Sequence, residues 1–179
     1  MPLRLMEEAD LPTVLEWRNS PRVRDHMFTR HVISMEEHRA WFESLSEDVS
    51  KQWYVHLDAH DRMDGVVGFS SIDLEGRSAS WGFYTGNDAA PGTGLALGID
   101  ALNEAFGPLH LETLFASVLG DNDRSHNFHR RLGFTEYDCQ KDGHTDGDET
   151  MDIHLYSIDR ETWQERVQDL SGVTTGERS

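Results

Sequence analysis

Tyr84-Thr85-Gly86-Asn87-Asp88-Ala89-Ala90-Pro91-Gly92-Thr93-Gly94-Leu95-Ala96 decides the fold. Ala79 to Thr85, leading into it, has the pattern of a strand. After it, Leu95, Ile99, Leu102 and Phe106 recur at helical spacing. The turn between strand and helix is made of small residues. Gly92 and Gly94 let a bound group come close to the main chain, and the first turn of a helix leaves its N–H groups unpaired. Those donors, with the helix dipole, suit a phosphate or pyrophosphate. On these residues alone a plain helix-entry turn explains the pattern equally well. No Gly-Lys-Ser/Thr follows, so the turn is not a Walker loop. The third glycine of a dinucleotide fingerprint is missing, and the strands before it form a meander rather than a βαβ unit.

Working outward, residues 2–6 read as a short first strand. Asp10 can cap a helix that carries Leu11, Val14 and Leu15 on one face, and Pro21 breaks it. A further turn follows through Val23 and Met27. Ser34-Met35-Glu36-Glu37 is a capping box opening a helix with the stripe Met35, His38, Trp41, Phe42 and Leu45. Trp53 to Leu57, Gly65 to Ile72 and Ala79 to Thr85 are three strands joined by polar turns. Beyond the glycine turn come its helix, a strand from Leu114 to Leu119, a helix from Asp123 to Leu132, a strand starting at Gly133-Phe134 and a last strand from Met151 to Tyr156. The acidic run Asp138 to Glu149 reads as a solvated hairpin tip. This order predicts a mixed α/β (α+β) fold: one sheet with helices packed on it.

The chain has 179 residues, enough for one domain with a real core. No apolar run approaches the roughly 18 residues of a spanning helix. Lys+Arg 16 against Asp+Glu 33 leaves a net charge of −17, which argues against nucleic-acid and anionic-membrane partners. Only Lys51 and Lys141 are lysines. A low-lysine, Asp-rich surface suits a salt-rich cytoplasm, and GC-rich codon usage explains it equally. Cys139 is the one cysteine, so no disulfide forms within these residues and no Cys-based zinc site is expected. The opening MPLRLMEEAD lacks a basic region followed by an apolar one, so a reducing, cytoplasmic setting without a secretory signal is expected.

A second motif lies at Asn122-Asp123-Arg124-Ser125-His126-Asn127-Phe128-His129-Arg130-Arg131-Leu132-Gly133-Phe134. Together with the glycine turn it resembles the GNAT superfamily of N-acetyltransferases, and the element order matches across roughly residues 1–158. The resemblance implies a mostly antiparallel sheet with helices on both faces, splayed between its fourth and fifth strands, where acetyl-CoA binds as co-substrate. Main-chain contacts to pantetheine would come from Phe83, Tyr84 and Thr85. The pyrophosphate donors would be the amides of Gly92, Thr93, Gly94, Leu95 and Ala96, with Ala89 standing where the family has Gln or Arg. Asn122, Ser125 and Phe128 would border the coenzyme. His129 occupies the usual Tyr position. It would be the acid that protonates the leaving thiolate, or else a helix residue beside the cleft. One acetyltransferase domain, residues 1–170, is expected, with 171–179 as a flexible tail. Edge-strand pairing makes a homodimer compatible.

Trp17-Arg18-Asn19-Ser20-Pro21, Met27 and Ile33-Ser34 with His38 resemble, more narrowly, the UDP-4-amino-sugar N-acetyltransferases of pseudaminic acid biosynthesis. That likeness assigns Arg18, Met27 and His38 to the nucleotide. It gives Ser71 a proton relay, beside His129 and Asn122 in the catalytic set, and puts Gly120 where a carboxylate stands. Arg18, Arg22 and Arg24 form a cation cluster fit for a diphosphate, or for ion pairs with Asp25, Glu36 or Glu37. His38 is either a ligand-facing or a satisfied core histidine. His126 and His129 have no third metal-type partner, so no metal is expected. The expected reaction is direct acetyl transfer to a primary amine of a small molecule, a nucleotide-linked amino sugar being preferred. The alternatives are a polyamine or protein N-terminus as acceptor, and a non-catalytic acyl-CoA-binding sensor.

Overall fold

The computed structural model describes residues 2–175. One seven-stranded sheet has the order β1-β2-β3-β4-β5-β7-β6. β1 (Leu3–Leu5), β2 (Gln52–Leu57), β3 (Met63–Asp73) and β4 (Ser78–Thr85) make an antiparallel meander. β5 (Thr113–Leu119) runs parallel to β4 but pairs with it only at Ser78, Ala79 and Ser80. From Trp81 on the two strands part. β5 instead follows β7 (Glu149–Asp159) along its whole length, and β6 (Thr135–Asp146) closes that edge.

Helices cover both faces. α1 (Leu11–Asn19), α2 (Pro21–Arg24) and α3 (Met35–Leu45) precede the meander. Leu11, Val14 and Trp17 of α1 pack with Val55 and Val66 of the sheet. α4 (Thr93–Phe106), α5 (Asp123–Leu132) and α6 (Arg160–Thr175) lie over the main core, which holds Phe69, Leu97, Leu102, Leu114, Leu132 and Tyr156. α4 can seat closely because Gly65 has no side chain: a Cβ there would overlap Leu97 Cδ1. The Ser34 capping box forms as read, with Glu37 N–H donating to Ser34 Oγ and Ser34 N–H to Glu37 Oε2, both at 3.1 Å.

Three local expectations change. Asp10 does not cap α1 with its side chain. It ends a 3₁₀ turn, Glu8–Asp10, and its carboxylate takes two bonds of 2.8 Å from Arg4 and one of 2.8 Å from the Glu7 amide. A buried carboxylate gains more from a guanidinium than from one helix amide. The acidic run is solvated and ends a hairpin as read, but most of it is paired strand β6, the turn itself being only Gly147-Asp148, and Asp146 pairs with Arg30 at 3.6 Å. α6 was not foreseen. Its start is marked by Asp159, which accepts the Thr162 amide at 2.7 Å, and by buried Trp163, which donates to Asn103 at 3.0 Å. The helix continues into the segment read as a tail; residues 176–179 lie outside the described residues.

Burial pushes the Asp10 pKa up, but the Arg4 bonds and the Glu7 amide outweigh it and hold it below the ordinary value. The carboxylate therefore contributes stability above about pH 4, and that stability is lost as pH falls through the native pKa. Asp10→Asn should cost roughly 1–2 kcal/mol at neutral pH. In urea titrations the gap to the parent should close as pH is lowered; a gap that persists in acid would refute the ionic account.

Candidate active site

The parting of β4 and β5 opens a cleft of about 210 Å³. Phe83, Tyr84 and Thr85 of β4, Gly94 of α4, and Asn122, Ser125 and Phe128 of α5 line it, with Met27 and Arg22 at its rim. Thus both motifs meet in one cleft although their nearest lining members, Gly94 and Asn122, are 28 positions apart. Asn122 is the N-cap of α5, and its Oδ1 accepts the Ser125 amide at 3.1 Å. Gly133 ends the same helix with φ 103°, a conformation that favours glycine.

At the glycine turn the expected donor set narrows. The Thr93 amide donates to Ala90 O, and the amides of Leu95 and Ala96 both donate to Gly92 O, each at 3.1 Å. Among the described residues, the Gly92 and Gly94 amides are left without a main-chain partner. Gly92 has φ 92°, and a Cβ on Gly94 would meet only Thr85 Cγ2, at 3.9 Å. The turn is therefore open to a group that takes two main-chain N–H donors. An anion fits there.

His129 is not the imidazolium expected of an acid. It is 4% exposed, and burial pulls its pKa down to about 4, against a smaller upward pull from Ser125 O. Nδ1 lies 2.8 Å from that carbonyl. A carbonyl only accepts, so Nδ1 carries the proton and Nε2 is a lone-pair acceptor. His126 is committed elsewhere, with Nε2 donating to Leu119 O at 3.1 Å and Nδ1 accepting from Tyr156 at 2.7 Å.

A second cavity of about 360 Å³ adjoins the cleft and shares Met27 and Tyr84 with it. Arg18, Met27 and His38, which the narrower resemblance had singled out, all line it. Arg18 Nη2 donates to Thr29 O at 2.8 Å, while its Nη1 is buried without a partner. Burial lowers the Arg18 pKa. His38 stacks on Trp41 at 5.2 Å, and Trp41 meets Trp53 edge-on at 5.0 Å. His38 Nε2 is also buried without a partner. Burial lowers its pKa, with the Leu11 main chain opposing, so the ring is neutral near pH 7. Helical spacing alone puts Trp41 on the apolar stripe of α3, and strand pattern alone puts Trp53 at the start of β2. Only the meeting of α3 and β2 shows them as lining. A larger hollow, about 580 Å³, lies between α3 and β1–β2, and none of its lining residues has a partnerless buried polar atom.

The arginines do not act as one cluster. Arg22 braces the end of β4, donating to Thr85 O at 2.6 Å and Gly86 O at 2.8 Å. Arg24 pairs with Asp25 at 3.7 Å. Arg18 alone faces the second cavity. Ser71 joins neither space. A bulge between Ser70 and Asp73 breaks the strand alternation and leaves Ser71 exposed, with φ 51°, level with Ser78–Ser80, where β4 and β5 are still paired and the cleft has not opened.

The chain is 28% identical over 137 residues to the acetyltransferase PseH of Campylobacter jejuni serotype O:2, spanning 76% of this chain and 84% of that protein. The PseH of serotype O:23/36 matches to the same extent. Among solved structures, spermidine N-acetyltransferase from Vibrio cholerae in complex with CoA and spermine superposes with a TM-score of 0.84. That match is 20% identical and covers 90% of this chain and 96% of the other. A K23-Q34 chimera of the Vibrio enzyme and hSSAT gives 0.82 at 21% identity, over 92% and 98%. A family model for the acetyltransferase (GNAT) domain matches residues 1–135, so the chain belongs to the GNAT acetyltransferases and is an acetyl-CoA-dependent N-acetyltransferase.

Proposed function

We propose that the protein transfers the acetyl group of acetyl-CoA to the primary amine of a nucleotide-linked amino sugar, at its 4-amino group. The observation that carries this is the partnerless, buried Nη1 of Arg18 in a cavity walled by Trp41, Trp53 and Tyr84. A buried charged donor without an acceptor is costly unless a ligand supplies one. A nucleoside diphosphate offers oxygens to Arg18 and a base to the aromatic walls. The identity to the PseH acetyltransferases supports the same acceptor. The likeness to the spermidine enzymes concerns the fold. A polyamine would bring its charges against Arg18, and the one lining carboxylate, Glu37, is already bonded to His31 at 2.9 Å and to the Ser34 amide.

The chemistry is direct transfer. The neutral amine attacks the thioester carbonyl, the C–S bond breaks, nitrogen loses one proton and the departing thiolate gains one. From Trp81 to Thr85, the β4 edge facing β5 has no ladder partner there, so its amides are free to stabilise the oxyanion. Neutral His129 accepts rather than donates a proton, so in this reading the thiolate takes its proton from water. Cys139 lies on β6, outside the residues that line the cleft, so no acyl-enzyme is invoked.

CoA release should be followed with a UDP-4-amino sugar and with spermidine in parallel. Arg18→Ala should raise KM for the sugar nucleotide about ten- to a hundredfold, the loss of one charged hydrogen bond, and leave KM for acetyl-CoA unchanged. Turnover of spermidine alone, indifferent to Arg18→Ala, would overturn the acceptor. Gly94→Ala should keep or slightly raise the melting temperature, since alanine is the better helix former. Its added methyl would stand where an anion must approach, so calorimetry should show CoA binding about tenfold weaker. Unchanged affinity would remove the diphosphate from this turn.

A further inference from the structure

His56 is 3% exposed and lies outside every residue assigned so far to substrate or coenzyme. Its Nδ1 is 2.5 Å from Asp64 Oδ1 on β3, and its Nε2 is 3.1 Å from Asp100 Oδ2 on α4. Asp64 owes its place to a bulge: His56 pairs with Gly65 and Leu57 with Met63, so the residue between is turned out of register. From there Asp64 reaches both ends of the glycine turn. Its carbonyl accepts the Gly86 amide at 2.7 Å, and its Oδ2 accepts the Thr93 hydroxyl at 3.4 Å.

We propose that His56 is a positioning residue of the coenzyme site: by holding Asp64 and Asp100 together it fixes both ends of the 86–93 turn, and with them the free amides of Gly92 and Gly94. This rests on the assignment of that turn to the coenzyme diphosphate.

Two carboxylates face His56, Asp64 from β3 and Asp100 from α4; Thr93 adds only an uncharged hydroxyl. Burial opposes protonation of the ring, but the bonds to both carboxylates outweigh it and raise the pKa. Protonated His56 donates to both. Once neutral it has one N–H, so one carboxylate is released and the cluster gains a negative charge beside the α4 N-terminus. Both changes disfavour a bound diphosphate. Affinity for CoA should therefore be high below the raised pKa of His56 and fall as pH climbs through it.

Calorimetry would measure Kd for CoA and for pantetheine, which lacks the diphosphate, between about pH 6 and about pH 9. For the parent protein, CoA affinity should fall about tenfold across the range, with no such step for pantetheine. His56→Gln should bind CoA weakly at every pH and lose the step, with kcat at saturating acetyl-CoA within about twofold of the parent. Titration of CoA's own groups is common to both proteins and cancels in the ratio. Should His56→Gln not fold, Asp100→Asn keeps the Asp64 bond, and the step should move to lower pH because one carboxylate no longer holds the proton. A folded His56→Gln with the parent's affinity and pH profile, or an Asp100→Asn step that stays in place, would overturn the positioning role. A parent that binds pantetheine and CoA equally would overturn the diphosphate assignment itself, and one that binds neither would overturn the coenzyme site.

Discussion

The structure depends on how β5 divides its pairing. Ser78, Ala79 and Ser80 hold it to β4 at one end, while β7 takes its other edge from Thr113 to Leu119. A sheet loses hydrogen bonds wherever two strands part, and that loss must be offset. Here the antiparallel ladder of β5 with β7 and the helix seats on either side offset it. β4 stays with β3, β5 goes with β7, and the wedge between them becomes the cleft. The α4 turn and the start of α5 then face each other across it.

Charge acts on two scales. The −17 of the whole chain is a surface property, largely screened beyond about 8–10 Å at physiological salt. Inside the cavity beside the cleft the balance is set by the Arg18 guanidinium, whose Nη1 has no partner, and by the Glu37 carboxylate, already engaged. Local, desolvated charge decides what binds, and the global charge affects how ligands arrive. The same contrast explains His129. A histidine in a polar segment looks ready to donate, but its ring lies against Trp81, Phe134 and Tyr156, and burial keeps it neutral.

Much of this was legible in order and spacing. The limits of α5 were read to the residue, because Asn122 and Gly133 mark both ends. The three meander strands differ from their expected bounds by at most two residues, and the capping box at Ser34 formed as read. The glycine turn and the Asn122 segment were matched by local pattern, and both reach the cleft: the segment at Asn122, Ser125 and Phe128, the turn at Gly94 alone of its five expected residues. α6 was missed, although Asp159 and the apolar Trp163, Val167 and Leu170 spacing carried its signal.

Local sequence determined where the chain turns, which elements form and where the two motif segments begin and end, because caps, glycines and apolar periods act over a few neighbouring residues. Only the tertiary structure decided what depends on distant partners. It took three amides of the glycine turn into internal bonds, exposed Ser71 at a bulge, gave Arg22 and Arg24 partners outside the cavity that Arg18 lines, and enclosed His56 between carboxylates 8 and 44 positions away. Hydrogen-bond satisfaction and desolvation belong to the packed neighbourhood, and no window of sequence contains that neighbourhood.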